Sequence, residues 1–337
     1  MNFQPCIRYC GGKRRQSEDI IARMPKEMKT FYIPFLGSGA VMFQLINSNI
    51  KYENIVASDI YQPLMGIWDL VQNDPDRLID SYIEMFDKFE DIGEQYYYEV
   101  VDEFNKQEFG SQSPEMFYFI TRACMRGNLE YDRNGNFVTK VQRASSQDGI
   151  AEPRMIKPII RRWHEKIQDV EFRCEPYDCI AGEVEEGDFC FFDPPYIDGT
   201  WYRDNQIDMD KFYDFLRCLP CDYSITLNGD RDIYPIPEDC YTKHEYVYYG
   251  VKKSASGRPI GSRDSLWMKM TDMYEYTDGR ENVRNTQRGN GGTIPKVTDL
   301  KVMGDIQKQI DDTNGRIDDM NDKLDMILSA LCGKQTT

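Results

Sequence analysis

The sequence predicts an α/β protein with its functional residues at the carboxyl edge of a parallel sheet. A short apolar run, Phe189–Phe192, follows Asp188 and is typical of a strand buried on both faces. Two prolines follow Asp193 and prevent further strand pairing, so the strand must end at this carboxylate. A strand, a glycine turn and a helix over 30–46 precede a second strand that ends on Asp59. Open α/β folds bind ligands at this edge of the sheet.

The remaining elements follow from turn residues and apolar periodicity. Ser17 is a candidate N-cap for a helix over 17–24. Apolar residues at three- and four-residue spacing predict core-packing helices over 63–119. The later predicted elements are a helix at 155–167, a strand at 169–174, a helix at 208–217, a strand at 223–227 and two antiparallel edge strands at 243–251 and 265–271.

Length and composition limit the class of protein. A chain of 337 residues is long enough for one large catalytic domain with a smaller insertion and an appendage. It has no uninterrupted apolar run of about 18–20 residues, so we expect no membrane span. The N-terminal residues lack the basic and apolar regions of a secretory signal, which favours the cytoplasm.

The cysteines do not predict a metal site. Of the ten cysteines, only Cys218 and Cys221 have Cys-x-x-Cys spacing, and the chain contains only two histidines. Zinc sites usually require a second such pair or nearby histidines. We therefore expect no metal, and thiols in a reducing compartment.

The net charge of −16 argues against a protein that coats nucleic acid without specificity, because phosphate contacts require local Lys and Arg. The charge is unevenly distributed, with acids crowded over 74–115 and basic residues over 120–166. The basic residues are Arg122, Arg126, Arg133, Lys140, Arg143, Arg154, Lys157, Arg161, Arg162 and Lys166. This segment predicts either a basic face on an acidic protein or a solvated mixed surface.

The residues at 193–196 suit a planar heterocycle with an exocyclic amino group. The Asp193 carboxylate and the Pro194 carbonyl can each accept one hydrogen from an NH2 group, with Pro195 making the turn rigid. Two fixed acceptors localise the nitrogen lone pair, which makes the amine a better nucleophile. Tyr196 provides a ring on which a base can stack.

The N-terminal half predicts a cofactor site beside this turn. The Gly37-Ser38-Gly39 turn allows backbone amides and a helix N-terminus to approach a cofactor. Asp59 lies about twenty residues later, where an acidic residue meets ribose hydroxyls. Lys13, after Gly11 and Gly12, can reach a carboxylate or a phosphate. This spacing fits a dinucleotide or S-adenosylmethionine equally, and an activated amine favours the methyl donor.

A hairpin is predicted around Asn134-Gly135, between Tyr131 and Phe137. A loop-rich insertion with arginines and Asn136 suits a DNA-reading subdomain, because Arg and Asn read base edges. Further along, 277–298 is typical of a linker, and 299–332 carries apolar residues that alternate steps of three and four. That spacing predicts a coiled coil for self-association, with packing on the chain's own domain as the alternative.

Five motifs together resemble one family. In chain order they are Tyr9-Cys10-Gly11-Gly12-Lys13, Phe35-Leu36-Gly37-Ser38-Gly39, Ser58-Asp59-Ile60, Arg126-Gly127-Asn128 with Gly135-Asn136-Phe137, and Asp193-Pro194-Pro195-Tyr196. This order is similar to that of Dam-type DNA adenine-N6 methyltransferases, and the resemblance covers about residues 7–270.

The resemblance implies a Rossmann-like, seven-stranded methyltransferase sheet over 1–62 and 170–276, with a helical and hairpin target-recognition insertion at 63–169. It implies double-stranded DNA as partner and S-adenosylmethionine as cofactor, in a bacterial or phage-infected cell. The implied cofactor-binding residues are Tyr9, Lys13, Phe35, Gly37, Gly39, Asp59 and Asp193. Asp193, Pro194, Pro195 and Tyr196 would form the catalytic motif around a flipped-out adenine. The DNA-binding candidates are Arg122, Arg126, Asn128, Arg133, Asn136 and Lys140.

Three features depart from the family pattern. Tyr9 stands where other members carry Trp or another aromatic residue. Glu130 stands where a basic residue is expected in the recognition hairpin, so a GATC target is not assumed. The C-terminal coiled coil has no counterpart in compact members. Two alternatives also stay open: transfer to cytosine N4, because the same acceptors serve either amine, and a DNA-binding scaffold that keeps the fold without turnover.

Overall fold

The computed structural model describes residues 4–9, 11–108, 111–142, 150–195, 207–228, 242–253 and 259–270. The predicted stacking ring of Tyr196, the linker at 277–298 and the coiled coil at 299–332 lie outside the described residues. For Arg126, only the main chain is described.

The centre of the fold is one sheet with the strand order β3-β2-β1-β4-β5-β7-β6. Its strands are β1 (Thr30–Ile33), β2 (Asn54–Ser58), β3 (Val170–Arg173), β4 (Phe189–Phe192), β5 (Asp222–Asn228), β6 (Thr242–Lys253) and β7 (Pro259–Lys269). The first five pair in parallel, and β7 lies antiparallel between β5 and β6. The chain runs outward from β1 to β2 and β3, and then returns to β4 on the opposite side. The carboxyl ends of β1 and β4 therefore flank a topological switch point, where such sheets bind ligands.

Eight helices surround the sheet in the described residues. They are α1 (Ser17–Arg23), α2 (Ala40–Ile46), α3 (Gln62–Asn73), α4 (Pro75–Ile92), α5 (Glu94–Lys106), α6 (Pro114–Ala123), α7 (Pro153–Lys166) and α8 (Met209–Arg217). The mixed α/β class is confirmed. The methyltransferase type of the sheet and the division into domains stay predictions.

The predicted cap of α1 is wrong. Gln16 occupies the N-cap position and makes no side-chain cap hydrogen bond. Ser17 is instead the first helical residue, and its hydroxyl donates to the Arg14 carbonyl at 3.2 Å. The hydroxyl therefore turns back to the preceding turn and does not cap the helix.

Strand alternation explains the apolar sequence of β1 and β4. Phe31 and Phe189 belong to one core cluster with the helices α1–α7. The adjacent residues Tyr32 and Cys190 belong to a second cluster, which includes α8 and β5. Successive side chains of a strand point to opposite faces, so both faces of the central strands are buried.

The segment between β2 and β3 contains α3–α7 and a short hairpin. Tyr131 and Phe137 form an antiparallel bridge, and a second bridge joins Cys124 to Val141. Gly135 has φ of +77° at the tip of the turn, so the Asn-Gly signal marks the correct position. No helix in the described ranges is long and apolar enough to cross a bilayer.

Candidate active site

Asp193 follows the last residue of β4 and is held by two donors. Lys13 places its ammonium nitrogen 2.7 Å from Oδ1, with side-chain exposures of 5% for Lys13 and 19% for Asp193. The Thr226 hydroxyl lies 2.5 Å from the same oxygen. Lys13 also donates to the Gly11 carbonyl at 3.0 Å, so the lysine joins its own loop to the end of β4.

The same loop contacts the glycine turn after β1. A Cβ atom at Gly12 would lie only 2.8 Å from the Ser38 hydroxyl, so the two segments approach at a distance that favours glycine. Two sequence motifs about 25 residues apart therefore meet beside Asp193. The two predicted halves of the site, the glycine turn and the carboxylate, are joined through Lys13.

The glycine turn requires left-handed backbone at two positions. Gly37 has φ of +50° and Gly39 has φ of +66°. A Cβ at Gly39 would lie 2.9 Å from the Trp68 ring. The indole of Trp68 donates to the Gly37 carbonyl at 3.2 Å, which ties α3 to the turn. Helix α2 begins directly after Gly39 and directs its N-terminus towards this edge of the sheet.

Asp59, which follows β2, accepts backbone hydrogen bonds from Gly37, Tyr61 and Ile60. The Gly37 amide donates to Oδ2 at 3.1 Å, and the Tyr61 amide donates to Oδ1 at 3.1 Å. Burial raises the pKa of Asp59 from 3.8 to about 6, and these amides offset part of that increase. The Asp59 carboxylate thus lies against the glycine turn, and burial destabilises its ionised form.

Aromatic rings border the turn on two sides. The Tyr9 ring lies over Gly37, 3.5 Å from the position of a Cβ there. Phe35 stacks on Tyr177 with ring centroids 5.7 Å apart and meets Phe212 edge-on at 5.9 Å. Sequence reasoning identified Tyr9 and Phe35 but missed Tyr177 and Phe212. Tyr177 begins the short 3-10 helix after β3, and Phe212 lies on α8.

One DNA-binding assignment requires correction. Arg122 is only 5% exposed. Its guanidinium donates to the carbonyls of Pro5 and Cys6. The guanidinium carbon also lies over the Tyr118 ring, 5.4 Å from the ring centroid. An arginine buried in this way cannot contact DNA without leaving its partners. Its role is to hold the N-terminal segment.

The hairpin carries the other DNA-binding candidates. Arg133 and Lys140 are exposed. The Asn136 amide donates to the Asp132 carboxylate at 3.2 Å, and the Asn128 amide donates to the exposed Glu130 carboxylate. The acidic residue that departs from the family pattern thus contacts a candidate reading residue directly.

Two contacts at the site were not predicted from the sequence. Thr226 reaches Asp193 because β5 is in register with β4, and the Tyr131 hydroxyl donates to the Tyr61 hydroxyl at 2.9 Å. The paired hydroxyls connect the start of α3 to the hairpin. The described residues contain no cluster of three or more His, Cys, Asp or Glu side chains arranged for a metal ion.

Comparison with known proteins agrees with this arrangement. The model of the family "D12 class N6 adenine-specific DNA methyltransferase" matches residues 9–214 of the 337. The chain is 28% identical over 237 residues to the type II methyltransferase M.MjaIII of Methanocaldococcus jannaschii, covering 63% of this chain and 80% of that protein.

Two further relatives have similar names. The DNA adenine methylase of Escherichia coli K12 is 24% identical over 307 residues, covering 88% of this chain and 94% of the relative. The type II methyltransferase M.CviBI of Paramecium bursaria Chlorella virus NC1A is 26% identical over 196 residues, covering 58% and 69%. The family match spans both the glycine turn and the Asp-Pro-Pro motif, and on that match the chain belongs to the D12 class of N6 adenine-specific DNA methyltransferases.

Proposed function

We propose that this chain transfers a methyl group from S-adenosylmethionine to N6 of an adenine flipped out of double-stranded DNA. The observation that carries the proposal is the contact between Lys13 and Asp193, since it places the amine-binding carboxylate beside the glycine turn. Family membership supports adenine N6 as the acceptor. A large distance between Asp193 and the glycine turn would have contradicted this assignment.

Asp193 and Pro194 are proposed to bind the adenine amino group. The carboxylate accepts one N6 hydrogen and the Pro194 carbonyl accepts the other. These two hydrogen bonds draw the N6 lone pair out of the ring, and the nitrogen becomes nucleophilic. As the N6–methyl bond forms, the bond between the methyl group and the donor sulfur breaks and its electron pair stays on sulfur. The proton lost from N6 leaves along the hydrogen bond to the Asp193 carboxylate. Pro195 holds the turn, and Tyr196 is proposed to stack on the extruded base.

The residues beside the glycine turn fit the methyl donor. S-adenosylmethionine supplies, when bound, an electrophilic methyl group on a positively charged sulfur. Asp59 can accept hydrogen bonds from ribose hydroxyls, and Gly37, which carries no side chain, lies under the Tyr9 ring. Phe35 forms an apolar wall with Tyr177. These residues thus combine a hydrogen-bond acceptor for ribose hydroxyls with an aromatic surface for the adenosine.

The remaining cofactor assignments follow from position. Lys13 forms an ion pair with Asp193 and is proposed to lie between the adenine and the methyl donor. Gly39 permits the turn that brings the N-terminus of α2 close to the cofactor. Lys13 therefore acts on the Asp193 carboxylate, whereas Gly39 acts on the backbone of the turn.

DNA recognition is proposed for the insertion at 63–169. Its exposed candidates are Arg133 and Lys140, and its reading amides are Asn128 and Asn136. Arg126 completes the proposed set at the level of the sequence motif, and Arg122 is removed from it. Basic side chains position the duplex through phosphates, whereas amides read base edges.

The catalytic domain is proposed to comprise 1–62 and 170–276, in a seven-stranded methyltransferase sheet. The segment at 277–298 is proposed as a linker, and 299–332 as a coiled coil that joins copies of the chain. The heptad spacing of the sequence supports this self-association.

The test combines the purified chain, methyl-labelled S-adenosylmethionine and mixed-sequence duplex DNA, followed by mass spectrometry of the nucleosides. We expect N6-methyldeoxyadenosine from the wild type. Asp193→Asn should lower the methylation rate roughly 100-fold or more, because a preorganised acceptor is lost. The matched control is Asp214→Asn, a surface carboxylate paired with Arg217, which should leave the rate unchanged.

Two outcomes would contradict the proposal. Label found solely on cytosine would assign the acceptor to N4. A wild type that binds DNA but transfers no methyl group would assign the chain to a non-catalytic scaffold.

A further inference from the structure

The register of the sheet places Thr226 level with Asp193. Phe192 of β4 pairs with Ile225 of β5, so the next residues along these parallel strands are Asp193 and Thr226. Strand β4 ends there, whereas β5 continues and Thr226 still pairs with Leu266 of β7. Thr226 is fully buried. It is therefore a fixed point of the sheet beside a carboxylate that begins a turn.

The Thr226 hydroxyl has one hydrogen and two acceptors within reach. Its Oγ1 lies 2.5 Å from Asp193 Oδ1 and 3.4 Å from the Phe192 carbonyl oxygen. The shorter contact, to a carboxylate, is the stronger hydrogen bond, so the hydroxyl donates to Asp193. Lys13 donates to the same Oδ1 at 2.7 Å from a different part of the chain. Two donors that converge on one oxygen fix the rotation of the carboxylate.

The two donors differ in stiffness. Lys13 reaches Asp193 through a flexible stem with a compact charge at its end. Thr226 is β-branched and lies within a paired strand, so its χ1 angle is restricted. The lysine therefore supplies charge, whereas the threonine supplies the direction of the hydrogen bond.

We propose that Thr226 is a positioning residue, which orients the Asp193 carboxylate so that its second oxygen meets the N6 hydrogen of the substrate adenine. This inference rests on the proposed function and adds a residue to it. Small errors in the placement of a reacting group lower the rate strongly, even where binding is unchanged. Thr226 thus acts through Asp193 and touches neither the base nor the methyl donor.

The test compares two substitutions under single-turnover conditions with saturating methyl donor and duplex DNA. Thr226→Val keeps the size and β-branching but removes the donor, so the methylation rate should fall roughly 10- to 100-fold, as for one hydrogen bond to a charged group. The dissociation constants for S-adenosylmethionine and DNA should stay within about twofold. Thr226→Ser keeps the hydroxyl and should restore most of the rate.

Ser224→Ala is the matched control. Ser224 lies two residues earlier on β5, on the same face, and is also fully buried. Its hydroxyl has no hydrogen-bond partner in the part of the chain that the structure describes. The loss of this buried hydroxyl should leave the methylation rate at the wild-type value. Thermal unfolding of all variants shows whether the fold is kept, and Thr226→Ala replaces the valine variant if valine unfolds the chain.

A wild-type rate in the donor-free variant would overturn the inference, as would equal losses in the valine and serine variants. Equal losses in the valine and Ser224→Ala variants would assign the effect to packing of β5. Each of these results requires an active wild type. A wild type that makes no N6-methyladenine overturns the proposed function instead, so the two failures are distinguishable.

Discussion

Asp59 is a buried carboxylate for which we propose a role in binding ribose hydroxyls. Burial raises its pKa to about 6, and the Gly37 and Tyr61 amides limit that increase. The raised pKa means that the folded chain binds this proton more tightly than the unfolded chain does. Asp59 therefore contributes stability that is fully present below its ordinary pKa of 3.8 and is lost as the pH rises through about 6.

Cofactor affinity should depend on the pH through the same group. The ionised carboxylate is the better acceptor for ribose hydroxyls, so affinity for S-adenosylmethionine should fall as the pH drops from 7 to 5. Titration calorimetry at several pH values measures this. Asp59→Asn should bind more weakly, by about tenfold, with little dependence on the pH in this range. A wild-type affinity that is constant from pH 5 to 7 would exclude ionised Asp59 as a ligand group.

The glycine turn is the element in which backbone conformation and packing act together. Gly39 combines φ of +66° with a Cβ position 2.9 Å from Trp68. Gly93 also has positive φ, at +86°, but a Cβ there would meet nothing within 4 Å. Gly93 also differs in ψ, which is −156° against +16° at Gly39, so it reports the strain of glycine-type backbone without a clash.

Gly39→Ala should destabilise the chain by about 3 kcal/mol, because a strained φ adds to overpacking against Trp68. Gly93→Ala should cost about 1–3 kcal/mol from backbone strain alone, because φ of +86° with ψ of −156° is a conformation almost restricted to glycine. Denaturant unfolding measures both values. Binding of S-adenosylmethionine should weaken only in Gly39→Ala. A loss of only about 1 kcal/mol in Gly39→Ala, the cost of left-handed backbone alone, would show that the ring of Trp68 moves aside without cost.

Local patterns predicted most elements, because strands and helices depend on neighbouring residues. The end of β4 at Asp193 followed from the two prolines, and the hairpin tip followed from Gly135. Contacts between distant segments had no such signal. Arg122 lies in a basic stretch of sequence, yet its carbonyl partners are over 100 positions away. Predicting the contact of Thr226 with Asp193 would require the register of β5 against β4, which no local sequence pattern contains.

For the whole molecule, charge determines how DNA can bind. The net charge of −16 repels a polyanion, so the contact must depend on a few local cations such as Arg133 and Lys140. Affinity for DNA should therefore weaken as salt rises, with a modest slope that reflects few phosphate contacts.

Truncation after Asp278 tests the tail. The heptad spacing over 299–332 predicts an oligomer, so the full chain should elute with a multiple of its 39.5 kDa mass. The truncated chain should have the mass of a monomer by light scattering. Methylation should persist in the shorter chain, because the proposed catalytic residues all precede the cut. An unchanged number of subunits after truncation would exclude assembly through this segment.

The burial of Arg122 has a consequence for protein engineering. This side chain anchors the carbonyls of Pro5 and Cys6, and Trp163 donates to the Gln4 carbonyl at 3.1 Å. Both anchors lie in the segment between β2 and β3, yet they hold the loop that delivers Lys13. A chimaera that exchanges this whole segment for a relative's would thus displace Lys13 from Asp193. Retargeting by transplanting only the hairpin tip leaves those anchors in place.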